Sequence, residues 1–339
     1  MEAMSRYPSN ISQVGAPPEA GTRCLPEVLT APPPRPILLP VSLGTAPDGG
    51  DDAFCPGLTL LGGDHDAEYW TVDAPVSTGT LDGLPWRRAG DWLAMAISLV
   101  DSSEKDPADL VEQAYRRLVS ALHTLDGGQF IRLWNFIPAI NAGFGDDERY
   151  RRFCVGRGRA LDAAGLDDGK LCAATAIGGD GSDLRIVALA GKTSAHHIEN
   201  PRQISAHRYP RQYGPRSPAF ARATALGGDQ DDALLLISGT ASVVGHATAH
   251  PHELAGQLDE MTRNVDVLVA EAAEQLPGKS WSGLGPGTVM RAYVRDARDW
   301  PAVRDHLLAR WPGLRLAGLR GDICRRDLLV EVEAVHRPV

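Results

Sequence analysis

The sequence has few cysteines, no long apolar run and no excess of basic charge, and each absence excludes a class of protein. Its five cysteines are widely spaced among 339 residues and form no CxxC pair, so neither a structural zinc site nor a disulfide framework is predicted. No stretch of about 18 apolar residues indicates a membrane span, and the first residues lack a signal-peptide pattern. The net charge of −9 argues against a nucleic-acid partner. We therefore expect a cytoplasmic protein with reduced thiols that binds neither membranes nor nucleic acids.

Length and local composition predict two folded halves. A chain of this length exceeds one small hydrophobic core. Residues 1–40 are rich in proline, glycine, serine and threonine, and we expect them to form a flexible leader. An N-terminal domain over 41–210 and a C-terminal domain over 211–339 are predicted to meet in a segment rich in proline, arginine and tyrosine.

Hydrophobic spacing predicts alternating strands and helices. Amphipathic helices are expected over 107–123, near 146–163, over 252–276 and over 300–311. Strand-like runs lie at 58–61, 91–99, 129–137, 171–177, 184–190, 233–238, 288–295 and 328–335. Because the order strand, helix, strand, strand occurs twice, the sequence predicts an α+β protein of two halves, each a small mixed sheet backed by helices.

The last strand-like run carries two carboxylates. Glu331 and Glu333 share one face with Leu329 and Val335, because side chains two residues apart point to the same side of a strand. This face is either wet, as in many antiparallel sheets, or buried among its apolar neighbours. A buried carboxyl has a raised pKa and can deliver a proton near neutral pH, so the strand is a candidate site of acid catalysis.

Two further segments suit a small anionic ligand. Arginines and tyrosines are interleaved over 208–222, which favours recognition of a carboxylated anion, although a solvated linker is the alternative. Small residues over 238–242 let a ligand approach the backbone. Cys324 precedes the carboxylate strand beside Arg325 and Arg326, which are expected to lower the pKa of its thiol; the alternative is a buried structural cysteine. Three histidines over 246–252 match no metal-binding pattern, so no metal is predicted.

Five segments together resemble the chorismatases, over about residues 85–337. They read LWNFIPAIN, ERYRRFCVGR, YPRQYGPRSPAFARA, SGTASVVGHATAHP and GDICRRDLLVEVEA. The C-terminal half also resembles the RidA/YjgF fold, which is similar to small trimeric chorismate mutases, so two RidA/YjgF-like halves are expected. The resemblance implies a cofactor-free enzyme that releases pyruvate from chorismate.

Position by position, the resemblance also implies roles for individual residues. Glu331 falls on the catalytic acid, which protonates the enolpyruvyl methylene carbon. Cys324 and Ala241 fall on positions that determine the product. The groups that bind the substrate carboxylates fall on Arg157, Tyr213 and Arg216.

The product stays open at this point. Cys324 resembles the branch that forms 3-hydroxybenzoate, whereas Ala241 resembles a branch that also forms 4-hydroxybenzoate or one that hydrolyses chorismate to a trans-3,4-dihydroxycyclohexa-1,5-diene carboxylate. A RidA-like hydrolase of enamines or imines and a non-catalytic binding module are the alternative functions. The assembly is expected to be a monomer with an internal pseudo-repeat or a trimer.

Overall fold

The structure, a computed structural model, describes residues 27–44, 53–101, 106–166, 171–227, 233–276, 281 and 283–337. Its strands are β1 (Glu27–Leu29), β2 (Ile37–Ser42), β3 (Thr59–Gly63), β4 (Ala67–Thr71), β5 (Ser77–Leu81), β6 (Leu84–Ala89), β7 (Trp92–Val100), β8 (Gln129–Pro138), β9 (Ala173–Gly179), β10 (Asp183–Gly191), β11 (Ala195–Ile198), β12 (Ala223–Leu226), β13 (Leu234–Ala241), β14 (Val243–Val244), β15 (Ala247–Thr248), β16 (Thr288–Val294), β17 (Arg315–Arg320) and β18 (Val330–His336). Besides short 3-10 turns, the helices are α1 (Pro107–Thr124), α2 (Arg149–Ala163), α3 (Leu254–Gln275) and α4 (Trp300–Arg310). None of these helices combines the length and apolarity that a membrane crossing requires.

Two large sheets share one topology. The first has the strand order β5-β6-β7-β10-β8-β9, and the second has β11-β12-β13-β18-β16-β17, with β3 added at its edge. β8 and β9 pair in parallel in the first sheet, as β16 and β17 do in the second. The other neighbouring strands in these two six-strand sets pair antiparallel. The helices also occupy equivalent places, since α1 and α2 flank β8 as α3 and α4 flank β16. The predicted α+β class with two similar halves is confirmed.

The second sheet draws on residues before the predicted domain boundary at 210/211. Strand β11 forms one of its edges, and β3 pairs with β17 at the other. The polypeptide therefore contributes β3 to the second sheet, then forms the first sheet, and returns to the second sheet at β11.

Part of the expected leader is folded, which corrects the prediction of a flexible segment over 1–40. β1 and β2 pair with the two sides of β4 in a three-stranded sheet. Leu38 and Leu39 on β2 are buried in the same core cluster as Trp70 on β4. Their apolar side chains outweigh the local proline content, because burial of each contributes about 1.5–3 kcal/mol. Residues 1–26 lie outside the described residues.

Helices cover the outside and sheets enclose the centre. One core cluster joins the three-stranded sheet to the inner faces of both large sheets, and it includes Trp134 on β8 and Tyr293 on β16. A second cluster packs α1 and α2 on the first sheet, and a third packs α3 and α4 on the second. Inward-facing side chains of the two large sheets therefore meet in the middle of the molecule.

The two sheets are joined where the edge strand β9 meets β12 and β13. The backbone N–H of Ala173 donates to Thr224 Oγ1 at 2.8 Å, and that of Ala174 donates to Ser238 Oγ at 3.0 Å. In the other direction, the N–H of Gly239 donates to Thr175 Oγ1 at 3.0 Å. Hydroxyl groups thus satisfy backbone donors that an edge strand would otherwise leave unpaired, and this seam opens into a cavity.

Candidate active site

Glu331 and Glu333 point from β18 towards the first sheet. The intervening Val332 faces the opposite way, into the core under α3 and α4. Glu331 is 5 % exposed and Glu333 is 4 % exposed. The carboxylate-bearing face of the strand is therefore buried, and the alternative of a wet sheet face is excluded.

Glu331 is a carboxyl held in its protonated form. Burial, followed by the neighbouring charge of Glu333, raises its pKa to about 8, while Arg132 and Arg222 act in the opposite direction. Its cross-strand neighbours are Ala241 on β13 and Tyr293 on β16. Such a group retains its proton at neutral pH and can transfer it to a substrate carbon.

Glu333 has the opposite environment, because donors surround both of its oxygens. Oε1 accepts hydrogen bonds from Trp134 Nε1 at 3.1 Å, Arg291 Nη1 at 3.1 Å and the Tyr293 hydroxyl at 2.8 Å. Oε2 accepts from Arg132 Nη2 at 2.5 Å and from the hydroxyl of Thr175. A carboxyl that only accepts is ionised, so β18 carries one acid and one carboxylate on the same face.

The cavity at the seam has a volume of about 340 Å³. Five of the six site residues predicted from the sequence line it, namely Arg157, Tyr213, Ala241, Cys324 and Glu331. Segments far apart in the chain thus meet at one place: α2, the segment before β12, the end of β13 and the loop before β18. These site assignments themselves stay predictions.

Arg216 lies elsewhere. Its guanidinium forms a bidentate ion pair with Asp162 on α2, at 2.8 and 3.1 Å. The side chain crosses the helix at Gly158, where a Cβ would lie within 3.2 Å of its Cδ and closer still to its Nε. Arg216 is not among the residues that line the cavity, so the structure does not bring it to the other predicted residues.

Arg157 and Tyr213 both lie in the cavity wall. Arg157 is buried on α2, donates to the carbonyl of Ala219 at 2.6 Å and lies over the ring of Phe153. The Tyr213 hydroxyl is 3.0 Å from His246 Nδ1. Arg325 stacks on the Tyr213 ring with 4.2 Å between guanidinium carbon and ring centroid. Two positive groups and one phenol therefore line the cavity.

Cys324 corrects the expectation that neighbouring arginines lower the pKa of its thiol. Burial, followed by the charge of Glu331, raises this pKa to about 12, and the opposing effect of Arg325 is smaller. The Arg325 guanidinium stacks on Tyr213, and Arg326 donates to the backbone carbonyls of Asn141 and Gly143. The thiol is therefore neutral, and an attacking thiolate is excluded at neutral pH.

Sequence reasoning included Arg222 in the anion-binding segment 208–222 without singling it out, and it missed Thr175. Arg222 lines the cavity, and its Nη2 donates to the Ile204 carbonyl at 3.0 Å and to the Tyr209 hydroxyl at 2.9 Å. Its buried Nε has no hydrogen-bond acceptor among the described residues. The arginine-rich composition of 208–222 was the available signal, but composition alone cannot rank the members of such a segment. Thr175 carried no signal, since it lies in an apolar run.

Helix α3 holds two walls of the cavity in place. Gln257 donates to the Asp327 carbonyl at 2.7 Å and accepts from the N–H of Leu329 at 2.8 Å, which fixes the loop before β18. Asn264 donates to the carbonyls of Ala241 and Val243, each at 3.0 Å. Both side chains are fully buried, so these two polar residues of α3 support the walls of the cavity rather than face solvent.

A buried acid and several arginines around one cavity are the features of an active site for a small anion. A family model described as "Chorismatase FkbO/Hyg5-like, N-terminal" matches residues 68–190. A 3-hydroxybenzoate synthase from Streptomyces hygroscopicus is 36% identical over 276 residues, which are 79% of this chain and 81% of that protein. A chorismatase from Streptomyces rapamycinicus is 36% identical over 274 residues, with 79% and 81% covered.

A solved structure agrees with these sequence matches. The crystal structure of a chorismatase at 1.08 Å resolution superposes with a TM-score of 0.80 and 32% identity. The match covers 92% of this chain and 98% of that one. The chain belongs to the chorismatase family, which confirms the resemblance carried by its sequence motifs.

Proposed function

We propose that this protein converts chorismate to pyruvate and 3-hydroxybenzoate. Membership of the chorismatase family and the relative named 3-hydroxybenzoate synthase support the reaction. The observation that carries it is the protonated Glu331 carboxyl on the wall of an arginine-lined cavity.

The first step is proton transfer to carbon. Chorismate carries an enolpyruvyl ether, and protonation of its methylene carbon by Glu331 forms an oxocarbenium ion and leaves a carboxylate behind. A raised pKa makes the carboxyl available as a donor near neutral pH. The carboxylate so formed lies beside the cation and stabilises it.

The positive charges of the arginines complement the negative charge of the substrate. Chorismate is a dianion, and Arg157, Arg222 and Arg325 place positive groups around the cavity. Arg222 is a candidate for a direct contact, because its buried Nε has no hydrogen-bond acceptor among the described residues, whereas its Nη2 donates to Ile204 and Tyr209. Guanidinium groups bind carboxylates in a bidentate manner, which fixes the substrate relative to Glu331.

The second step distinguishes the possible products. Collapse of the oxocarbenium ion within the substrate gives pyruvate and a hydroxybenzoate without net consumption of water, whereas hydrolysis consumes one water molecule. The neutral thiol of Cys324 offers an apolar surface on the cavity wall, and it neither activates nor orders water as a charged group would. This favours the intramolecular route to 3-hydroxybenzoate.

Incubation of the purified protein with chorismate tests the proposal. Pyruvate and 3-hydroxybenzoate are expected in equal amounts, measured by enzymatic pyruvate detection and chromatography. Glu331→Gln is expected to lower kcat by about 10²- to 10⁴-fold, which is the usual contribution of a positioned general acid. Glu274→Gln, on the exposed side of α3, is the matched control and is expected to keep the wild-type rate. Absence of pyruvate, or a fully active Glu331→Gln variant, contradicts the proposal.

A further inference from the structure

A second set of buried charges lies beside the catalytic acid and has no part in the proton transfer itself. Glu333 and Arg132 bind each other, and Arg291 bridges Glu333 to Glu68 on β4 with bonds of 2.6 and 2.7 Å to the latter. All four side chains are nearly excluded from solvent. Well-packed apolar residues often stabilise a core as much as such a network or more, so stability alone does not account for it.

The donors near the two carboxyl groups bind Glu333 and not Glu331. Arg132 and Thr175 both approach β18 from the first sheet, and both donate to Glu333 Oε2. The N–H of Gly239, which lies against Glu331, donates to Thr175 Oγ1. Among the described residues the Glu331 carboxyl has no hydrogen-bond partner, so burial and charge set its protonation. The two carboxyl groups share one face of a strand, yet only Glu333 is stabilised as an anion.

We infer that Glu333 is a positioning residue that acts through Glu331: its fixed negative charge keeps the Glu331 carboxyl protonated and ready to donate. The inference deepens the proposed function and rests on it for its catalytic meaning. Two charges about 7 Å apart, the spacing of residues i and i+2 on a strand, interact appreciably across a protein interior. Arg132 and Arg291 hold Glu333 as a carboxylate, and Glu68 balances Arg291.

Charged and titratable groups face Glu331 from each element packed against it. They are Glu333 on β18, Tyr293 on β16, Arg132 on β8, Tyr150 and Arg157 on α2, Arg222 before β12, and Cys324 and Arg325 before β18. The remaining charged or titratable groups that line the cavity are Glu148, Arg151, Tyr209, Tyr213, His252, Arg326 and Asp327. Burial raises the pKa values of Tyr150, Tyr293 and Cys324, so these three stay neutral through the relevant range. Glu333 raises the pKa of Glu331, whereas Arg132 and Arg222 lower it.

Three variants of the full chain separate charge from hydrogen bonding. Glu333→Gln removes the negative charge, Arg132→Gln removes a positive charge, and Tyr293→Phe removes one donor to Glu333 without changing the charge. The value of kcat/KM for pyruvate release is measured between about pH 5.5 and pH 10, because this ratio reports ionisation of the free enzyme. Since Glu331 must be protonated to act, wild-type kcat/KM falls as pH rises through its pKa of about 8.

The expected shifts differ in sign. In Glu333→Gln the fall moves about one to two pH units lower, in Arg132→Gln it moves higher, and in Tyr293→Phe it stays within about 0.3 pH units of wild type. An unmoved fall in Glu333→Gln overturns the inference. If that variant does not fold, an unmoved fall in Arg132→Gln overturns it instead, because it would show that charge facing Glu331 from this network does not set its protonation.

A readout without turnover separates this inference from the proposed reaction. In protein labelled at glutamate carboxyl carbons, the NMR signal of Glu331 is identified by its loss in Glu331→Gln, and its titration midpoint is then followed in each variant. If chorismate is not cleaved, the proposed function fails. The midpoints still support the role of Glu333 if they shift as stated, and overturn it if they do not.

Discussion

The two halves of the molecule have the same strand order and differ in what their equivalent central strands carry. β18 of the second sheet presents Glu331 and Glu333 to the interior. Its topological counterpart β10 presents Val187 and Leu189 to the central core. One half therefore carries the buried acid that we propose as the proton donor, and the other carries an apolar strand in the same place.

The difference shows how a repeated scaffold acquires a single site. The first half contributes Arg132 and Thr175, which bind Glu333, and the wall of α2 that carries Arg157. Neither half contains the site alone, since the cavity opens at the seam between them. The two sheets thus share one strand order, and the side chains of a single strand distinguish the half that carries the buried acid.

The largest effect is expected at Gly239 on β13, where the backbone contacts the acid on the neighbouring strand β18. At Gly239 an added Cβ would overlap Glu331 Oε1 and lie 3.2 Å from Thr175 Cγ2. Gly239→Ala is therefore expected to lower kcat by about 100-fold, because a displacement of the acid by about 1 Å is sufficient for such a loss. Initial rates of pyruvate release measure it.

A matched control comes from the first half. A Cβ at Gly181, in the connection between β9 and β10, meets no atom within 4 Å, so Gly181→Ala is expected to keep the wild-type rate. Equal rates for both variants would show that Glu331 tolerates displacement, and the contrast drawn between β18 and β10 would lose its catalytic meaning.

The sequence predicted the layout well because hydrophobic periodicity is a local signal. All four long helices begin and end within about three residues of their predicted bounds, and the strands β7, β8, β10, β13, β16 and β18 were expected from their apolar runs. The short polar strand β5 and the glycine-containing β17 were not predicted, because pairing within a sheet stabilises them more than their own composition does.

The site was only partly predictable for a physical reason. Alternation placed Glu331 and Glu333 on one face. Nothing local reveals that, within the described part of the chain, the Glu333 carboxyl accepts hydrogen bonds from five donors and that of Glu331 from none. That distinction depends on Arg132, Thr175 and Arg291, which come from other strands. Likewise, Arg216 and Arg222 look alike in the chain, and only the fold turns the first towards Asp162 and the second towards the cavity.

The next largest effect tests that pair of arginines. Arg222→Gln is expected to lower kcat/KM for chorismate by about 10- to 100-fold, mainly through a higher KM, since a charged hydrogen bond to the substrate is worth about 1.5–3 kcal/mol. Steady-state kinetics measures the effect. Arg216→Gln removes an ion pair at the outer surface of α2 and is expected to change kcat/KM by less than about twofold. The opposite ranking would place the anion-binding surface elsewhere and contradict the seam as the site.

The smallest effect on rate is expected at Cys324, and it sharpens what the second half contributes besides the acid. Burial and the charge of Glu331 raise the pKa of this thiol to about 12, so it attacks nothing at neutral pH. Cys324→Ala is expected to consume chorismate within about threefold of the wild-type rate, because only a partly buried sulfur is lost. The ratio of 3-hydroxybenzoate to other products, measured by chromatography, is expected to fall as the enlarged cavity admits water to the oxocarbenium ion. A loss of about 1,000-fold would instead indicate covalent catalysis by the thiol, and the second half would then supply two reacting groups rather than one acid and a shaped wall.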